Sequence, residues 1–377
     1  MGYILSEESQ KLVAMVRDFC DKEIVKQCKE FDISGAFPAE IMKKCNEMQL
    51  NLIELPKKYG GPGLDWITIA AIYEELGRAD AGVASTLATN TMLMKVLFKF
   101  GTEEQAANYC ELLKRGGYST FALTEAQAGS DAANTLTVAD KDGDDYVLNG
   151  AKAFASNGGI ADVHGIFALT DKTAGTKGLT AFLVEKERAG MKVGQEENKM
   201  GIRLSNTTSL FLENVRVPAS NVIGQEGKGF SMAMQTLDAQ RIVTAAITIG
   251  IAQRGLEEAA AYAKQRVTFG QPINRNQAVQ FMLADMDIKI ETARQMIVHA
   301  FTLLQNGTRC TREASIAKCY TADIAMEVAT DAVQIVGGYG YSRDYPVEKL
   351  MRDAKVFQIL EGTNQIQRMI IGGQFLR

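Results

Sequence analysis

Three short segments combine glycine with hydroxyl, amide and carboxyl side chains. They are Thr124-Glu125-Ala126-Gln127-Ala128-Gly129-Ser130-Asp131, Gln334-Ile335-Val336-Gly337-Gly338-Tyr339-Gly340 and Glu361-Gly362-Thr363-Asn364-Gln365-Ile366-Gln367-Arg368. Small residues let backbone N–H groups come close to an anion or a flat ring. The polar side chains around them supply directed hydrogen bonds. None is a Walker A loop or a strand-linked G-x-G-x-x-G, which disfavours a P-loop NTPase or a Rossmann enzyme. Taken singly, each segment reads as a turn or a helix cap. The chain has two histidines, His164 and His299, in 377 residues. Ser/His triads, histidine bases and His-ligated metal sites therefore start at a disadvantage. Proton chemistry in an enzyme of this composition falls to a carboxylate.

Composition narrows the classes further. Hydrophobic residues make up 46% and charged residues 23%, values ordinary for a globular chain with a large core. The net charge of −4, from 41 basic and 45 acidic residues, argues against a protein that reads nucleic-acid backbone. Six cysteines (Cys20, Cys28, Cys45, Cys110, Cys310, Cys319) form no C-x-x-C pair and read as reduced thiols of a cytoplasmic protein. No apolar stretch reaches the roughly 18 residues of a membrane span. The opening MGYILSEESQKL has no signal or transit character. Gly2 with Ser6 meets the loose myristoylation pattern only by chance, and the sequons at Asn206 and Asn306 are idle without a secretory route. Asp140, Asp142 and Asp144 mimic a calcium loop, but the glycine is misplaced and Ala151 stands where a bidentate Glu is needed. No metal site is expected.

The elements that must position these residues fall into three stretches. Up to about residue 120 the pattern is helical. Ser6 caps a helix opening with Glu7 and Glu8. Leu12, Val16, Phe19 and Ile24 follow at helical spacing. Pro38 opens a second helix, Tyr59–Gly63 is a loop, and apolar helices cover about 67–77 and 86–100, closed by Gly101. Between about 121 and 226 the apolar runs shorten to strand length at Tyr146–Leu148, Ile166–Leu169, Leu179–Val184 and Leu210–Leu212. Asp142-Gly143 signals a hairpin, and the β region ends near Val217-Pro218. From about 227 long helices return. Val279, Leu283, Met286, Ile290, Ala293, Ile297, Ala300 and Leu304 form a heptad seam, with His299 beside it in a structural role.

The joint order of the three segments, with others between them, closely resembles the acyl-CoA dehydrogenase family, short-chain or butyryl-CoA dehydrogenase-like members in particular. The resemblance covers essentially the whole chain. It is carried by Phe121–Glu125 with Ala128–Asp131, Lys152–Asn157, Lys199–Arg203, Val215–Pro218 and Leu237-Asp238 with Arg241. Arg266–Gly270, Arg352–Lys355 and Glu361–Thr363 complete it. It implies a mainly α fold with a middle β domain. The expected parts are an N-terminal helical domain (1–120), a β-barrel-like middle domain (121–226) and a C-terminal four-helix bundle (227–377).

The resemblance also implies FAD, held where these parts meet. Phe121, Leu123, Thr124, Gly129 and Ser130 would lie against the flavin. So would Phe154, in place of a frequent Trp, and Ser156, in place of the usual Thr. Ala155 departs from the usual Ile. Arg266, Phe269 and Gln277 fit the pyrophosphate arm. Gln334, Gly337 and Gly338 would reach the FAD of a neighbouring subunit, with Thr363 and Gln365 also near FAD. A homotetramer, as a dimer of dimers, follows from that.

Family members carry the catalytic Glu either before the C-terminal Gly-Thr or before the Arg of the Leu-Asp-x-x-Arg helix. Here the helix position is Gln240, an amide, so Glu361 is the implied base. The family binds the thioester carbonyl with the base's own N–H and a ribityl hydroxyl of FAD. Ser130, Asp238, Arg241 and Gly362 are implied contacts to an acyl-CoA or enoyl-CoA substrate, though Asp238 and Arg241 also suit an i,i+3 salt bridge. Leu360 stands where a Tyr is frequent, which leaves acyl length open. The expected electron partner is an electron-transferring flavoprotein. An acyl-CoA oxidase using O2 and a non-catalytic scaffold of the same fold are the rival readings.

Overall fold

Capping residues set where the first helices begin. The computed structural model describes residues 2–376; Met1 and Arg377, at the ends of the outer segments, lie outside the described residues. Ser6 accepts from the Ser9 N–H and opens α1 (Glu7–Phe19), which runs into a π-helical turn at Cys20–Ile24. α2 (Cys28–Ser34) ends at left-handed Gly35, and Pro38 immediately precedes α3 (Ala39–Glu47). The proline thus opens the third helix rather than the second. Asp65 caps α4 (Trp66–Ala79) by accepting from the N–H groups of Ile67 and Thr68. Asp80 then does the same for α5 (Ala81–Phe100) through Gly82 and Val83. Each such cap contributes about 1 kcal/mol. Gly101 ends α5 as the sequence indicates. A Thr102–Gln105 capping box starts α6 (Glu103–Lys114), a helix the apolar periodicity does not announce.

The chain then becomes strands: β1 (Ser119–Ala122), β2 (Val138–Asp142), β3 (Asp145–Ser156), β4 (Val163–Leu169), β5 (Leu179–Glu185), β6 (Met191–Glu196), β7 (Thr207–Pro218) and β8 (Val222–Ile223). They form one sheet in the order β6-β7-β3-β2-β4-β5-β8, with β1 pairing parallel to β4. β2 and β3 make the expected hairpin. Asp142 faces Asp145, and Gly143 at φ 63° takes the left-handed turn position. The three aspartates serve this hairpin: Asp144 sits in its turn, Asp142 pairs with Arg216, and Asp140 on β2 pairs with Lys172. Among the described residues no cluster of potential metal ligands occurs. His164 is fully buried between the carbonyls of Val184 and Gly158, a structural role.

α7 (Gly229–Gln265) is the central pillar. It is buried on every side from Gln240 to Ala252, as expected for a helix surrounded by others. It crosses α4 at van der Waals limit. A Cβ on Gly77 would lie 2.1 Å from the Ile247 carbonyl oxygen, and one on Gly250 2.2 Å from that of Glu74. A two-stranded hairpin, β9 (Val267–Thr268) and β10 (Gln271–Pro272), leads to α8 (Gln277–Gln305), α9 (Thr311–Val336), α10 (Val347–Phe357) and α11 (Asn364–Gly372). The predicted α8 seam holds: Met286, Ile290, Ala293, Ile297 and Ala300 are fully buried. His299 is exposed beside them.

A buried charge cluster ties the three stretches together. The Lys349 ammonium on α10 lies 2.7 Å from the Asp80 carboxylate and also pairs with Asp353. Asp353 in turn accepts from the Ile202 N–H at 2.6 Å. Burial alone would lower the Lys349 pKa, yet Asp353 and Asp80 hold it well above the usual lysine range. All six cysteines are free thiols. No helix among the described residues is long and apolar enough to cross a membrane.

Candidate active site

Two consecutive left-handed residues, Glu361 (φ 54°) and Gly362 (φ 91°), make the turn between α10 and α11. Glycine takes this conformation freely, whereas a non-glycine residue there costs on the order of 1 kcal/mol or more. Side chains from three helices hold the strained turn. The Gly362 carbonyl accepts from Lys318 Nζ at 2.8 Å and Gln367 Nε2 at 3.0 Å. The Glu361 carbonyl accepts from Gln367 Nε2 at 3.2 Å and Arg241 Nε at 3.4 Å. Thr363 caps α11 through the Ile366 N–H. The Glu361 N–H meets no acceptor among the described residues.

The turn aims the Glu361 carboxylate at α7, where Thr244 Oγ1 donates to its Oε2 at 2.8 Å. Burial raises the Glu361 pKa above the ordinary carboxylate value. Thr244, Lys318, Arg241 and Lys95 each pull it partly back. A carboxylate tuned upward in this way is poised to act as a proton acceptor. Arg241 also donates to Asp238 Oδ1 at 3.0 Å, so the i,i+3 pair forms while Arg241 touches the Glu361 backbone. Gln240, the amide at the other possible base position, is bound to α5. Its Oε1 accepts from Lys95 Nζ at 2.8 Å, and its Nε2 donates to the Ala88 carbonyl.

A second group assembles on the sheet. The Ala153 N–H donates to the Thr124 carbonyl at 2.9 Å, joining the 121–131 loop to β3. Beneath this joint Lys152 Nζ meets Glu125 Oε1 at 2.7 Å, with both side chains buried. Burial would raise the Glu125 pKa, but Lys152, Thr137 and Leu136 bring it down to about 2. Burial outweighs the pull of Glu125 on Lys152 and lowers that lysine to about 8. The β3–β7 register slips between Lys152 and Ala155. At this bulge Phe154, at φ 52°, points outward with 66% of its surface open. Bulges commonly re-aim a side chain in this way. Phe121 and Ser156 are half-buried nearby in the sheet, Leu123 is buried, and Gly129 and Ser130 lie open on the loop.

The remaining predicted residues stand apart from both groups. Arg266, Phe269, Gln277, Gln334 and Gln365 are exposed, and their side chains form no hydrogen bond among the described residues. Phe269, at φ 50° in the hairpin turn, is completely exposed, and a Cβ on Gly337 or Gly338 would meet nothing. Sequence reasoning missed Thr244, Lys318, Gln367 and Lys95. Only Lys318 carries a signal, a lysine set among small residues in Ala314-Ser315-Ile316-Ala317-Lys318.

Three family models match the chain in succession: "Acyl-CoA dehydrogenase, N-terminal domain" over residues 6–117, "middle domain" over 120–215 and "C-terminal domain" over 227–376. An acyl-CoA dehydrogenase of Bacillus subtilis (strain 168) is 45% identical over 374 residues, covering 99% of each chain. Among solved structures, the butyryl-CoA dehydrogenase of Megasphaera elsdenii aligns with a TM-score of 0.97 and 43% identity over the full length of both chains. A chain in a structure described as the electron transferring flavoprotein of Acidaminococcus fermentans gives 0.97 and 42%, again over both full lengths.

Proposed function

Because this chain belongs to the acyl-CoA dehydrogenase family of FAD-dependent enzymes, we propose that it oxidises a short acyl-CoA to the trans-2-enoyl-CoA with Glu361 as base. The observation that carries this reading is the half-buried Glu361 carboxyl, raised in pKa and held by Thr244, with an amide at the alternative base position. The same residues serve the reverse reduction of an enoyl-CoA.

The residues present fit FAD. Phe154 and Phe269 are open aromatic rings on left-handed backbone, an arrangement that favours covering by a planar group. Arg266 offers an unpaired guanidinium suited to a pyrophosphate. Phe121, Leu123, Thr124, Gly129, Ser130, Phe154 and Ser156 would hold the ring end. Arg266, Phe269, Gln277, Gln334, Gly337, Gly338, Thr363 and Gln365 would hold the rest. When bound, FAD supplies the acceptor for the β-hydride.

In this mechanism Glu361 Oε takes the α-proton. The unspent Glu361 N–H donates to the thioester carbonyl and stabilises the enolate charge that develops there. Asp238, Arg241, Ser130 and Gly362 orient the substrate. Lys318 and Gln367 keep the base on its turn. The three units at 1–120, 121–226 and 227–377, a homotetramer, an electron-transferring flavoprotein as partner and a cytoplasmic setting belong to the same proposal. The exposed Phe269 and Gly337-Gly338 surface supports the assembly, and the six free thiols support the setting.

Anaerobic mixing of the yellow protein with a panel of acyl-CoAs tests the reaction. Bleaching of the flavin is expected, and none with any chain sinks the reading. Peroxide release during aerobic turnover would instead mark an oxidase. Thr244→Val removes a hydrogen bond that lowers the Glu361 pKa. The base works only above its pKa, so the acid limb of kcat should move to higher pH by about one unit. An unmoved limb would show that Thr244 does not tune the base. Lys152→Met leaves the buried Glu125 carboxylate without its cation, a loss of roughly 3–5 kcal/mol under the flavin-facing loop. A lower ratio of flavin to protein absorbance after purification is expected; full flavin content would refute it.

A further inference from the structure

One helical turn from Thr244, which touches the base, Gln240 on α7 binds Lys95 on α5. The Lys95 ammonium lies 2.6 Å from Glu54 Oε2 and donates to Thr91 Oγ1 at 2.9 Å as well as to Gln240. Glu54 Oε1 accepts from the Tyr73 hydroxyl at 2.8 Å. Five polar groups from four parts of the chain thus meet one turn along α7 from the Thr244–Glu361 contact. The Lys95 charge is near enough to act on Glu361.

A wall built only to bind alkyl carbon would be apolar. A buried ion pair there is costly, and well-packed hydrophobic residues of similar volume are often as stable or more so. The exposure pattern shows which side a ligand meets. On α5, Ser85, Thr89, Met92 and Lys95 are the least covered positions between Ala81 and Leu97. Their spacing of four, three and three residues puts them on one face of the helix, half-buried at Ser85 and Lys95 and nearly covered at Thr89 and Met92, and three of the four are polar. Within the ion pair, Lys95 keeps 12% of its side chain open and Glu54 none, so Lys95 is the partner within reach of a ligand.

We propose that the acyl pocket recognises a short acyl chain whose tail carries a hydrogen-bond-accepting oxygen, with Lys95 as the residue that reads it. The proposal rests on the dehydrogenase reading and names the substrate class of the same site. Glu54 and Gln240 hold the ammonium in place, and an oxygen at the fourth carbon of the acyl chain replaces Gln240 as its acceptor. A methyl group at that position offers no acceptor to an ammonium it would crowd.

4-Hydroxybutyryl-CoA and pentanoyl-CoA differ only by hydroxyl against methyl at the chain end, so they isolate this interaction. The test is the ratio of their kcat/KM values in the FAD-loaded enzyme. The wild-type protein should favour the hydroxylated chain by about tenfold or more. Lys95→Met should bring the ratio to one or below. Because that change leaves Glu54 buried and unpaired, Lys95→Met combined with Glu54→Gln is measured beside it and should give the same inversion. A wild-type preference for pentanoyl-CoA, or a ratio that neither variant changes, overturns the proposal and leaves the cluster as a tie between helices. If no acyl-CoA, butyryl-CoA included, reduces the flavin, the dehydrogenase reading itself fails and this one falls with it.

Discussion

Glu361→Gln should lower turnover of any acyl-CoA by about 10²–10⁴-fold, the range over which a positioned general base contributes. The substitution is close to isosteric. The Gln oxygen can still accept from Thr244, and the backbone clamps from Lys318, Gln367 and Arg241 are untouched. Flavin content and melting temperature should therefore match the wild-type protein, and the loss should fall on kcat far more than on KM. Rapid-mixing reduction of the flavin checks this directly. A variant that still bleaches at near wild-type rate would move the base elsewhere. Gln240 would not be the place for it, since an amide takes no proton and this one is occupied by Lys95 and Ala88.

Lys349→Met should be the most damaging single change away from the site. It strips the cation from two buried carboxylates, Asp80 and Asp353, that lie on different stretches of the chain. Removing one partner of such a cluster typically costs 3–5 kcal/mol, because the remaining charge stays uncompensated. Asp80 also caps α5, and Asp353 holds the Ile202 N–H, so the disturbance reaches α5, α10 and the connection between β6 and β7. A fall in melting temperature on the order of 10 °C is expected for units of this size, read by calorimetry on the flavin-loaded protein. A change below about 2 °C would show that the cluster adds little net stability. Lys349→Arg, which keeps the charge, should recover part of the loss.

Local signals were readable where the physics is local. Ser6 with Glu7 and Glu8 marked a helix start, Asp142-Gly143 marked a hairpin, and the α8 seam marked a packed face. Glu361 as the proposed base rests on the resemblance, which leaves two positions of which one, Gln240, is an amide. α6 was overlooked although Thr102-x-x-Gln105 is a capping box, since its apolar stripe is weak. Pro38 opens the third helix and not the second because the π-helical turn and the short α2 before it leave no strong period in the sequence. The residues that tune the base lay out of reach for a different reason. Lys318 meets Gly362 across 44 positions, Thr244 meets Glu361 across 117 and Lys95 meets Gln240 across 145. No window along a sequence contains both members of such a pair.

The close crossing of α4 and α7 bears on how the chain is made. α4 is buried on nearly all sides, and the backbone it presses against at Gly77 belongs to residues near 250. A ribosome adding about 5–20 residues per second delivers that partner on the order of ten seconds or more after α4 has emerged. During that interval an apolar helix waits without its counterpart, so nascent chains stopped before residue 250 should be far more protease-sensitive and chaperone-bound than the finished protein.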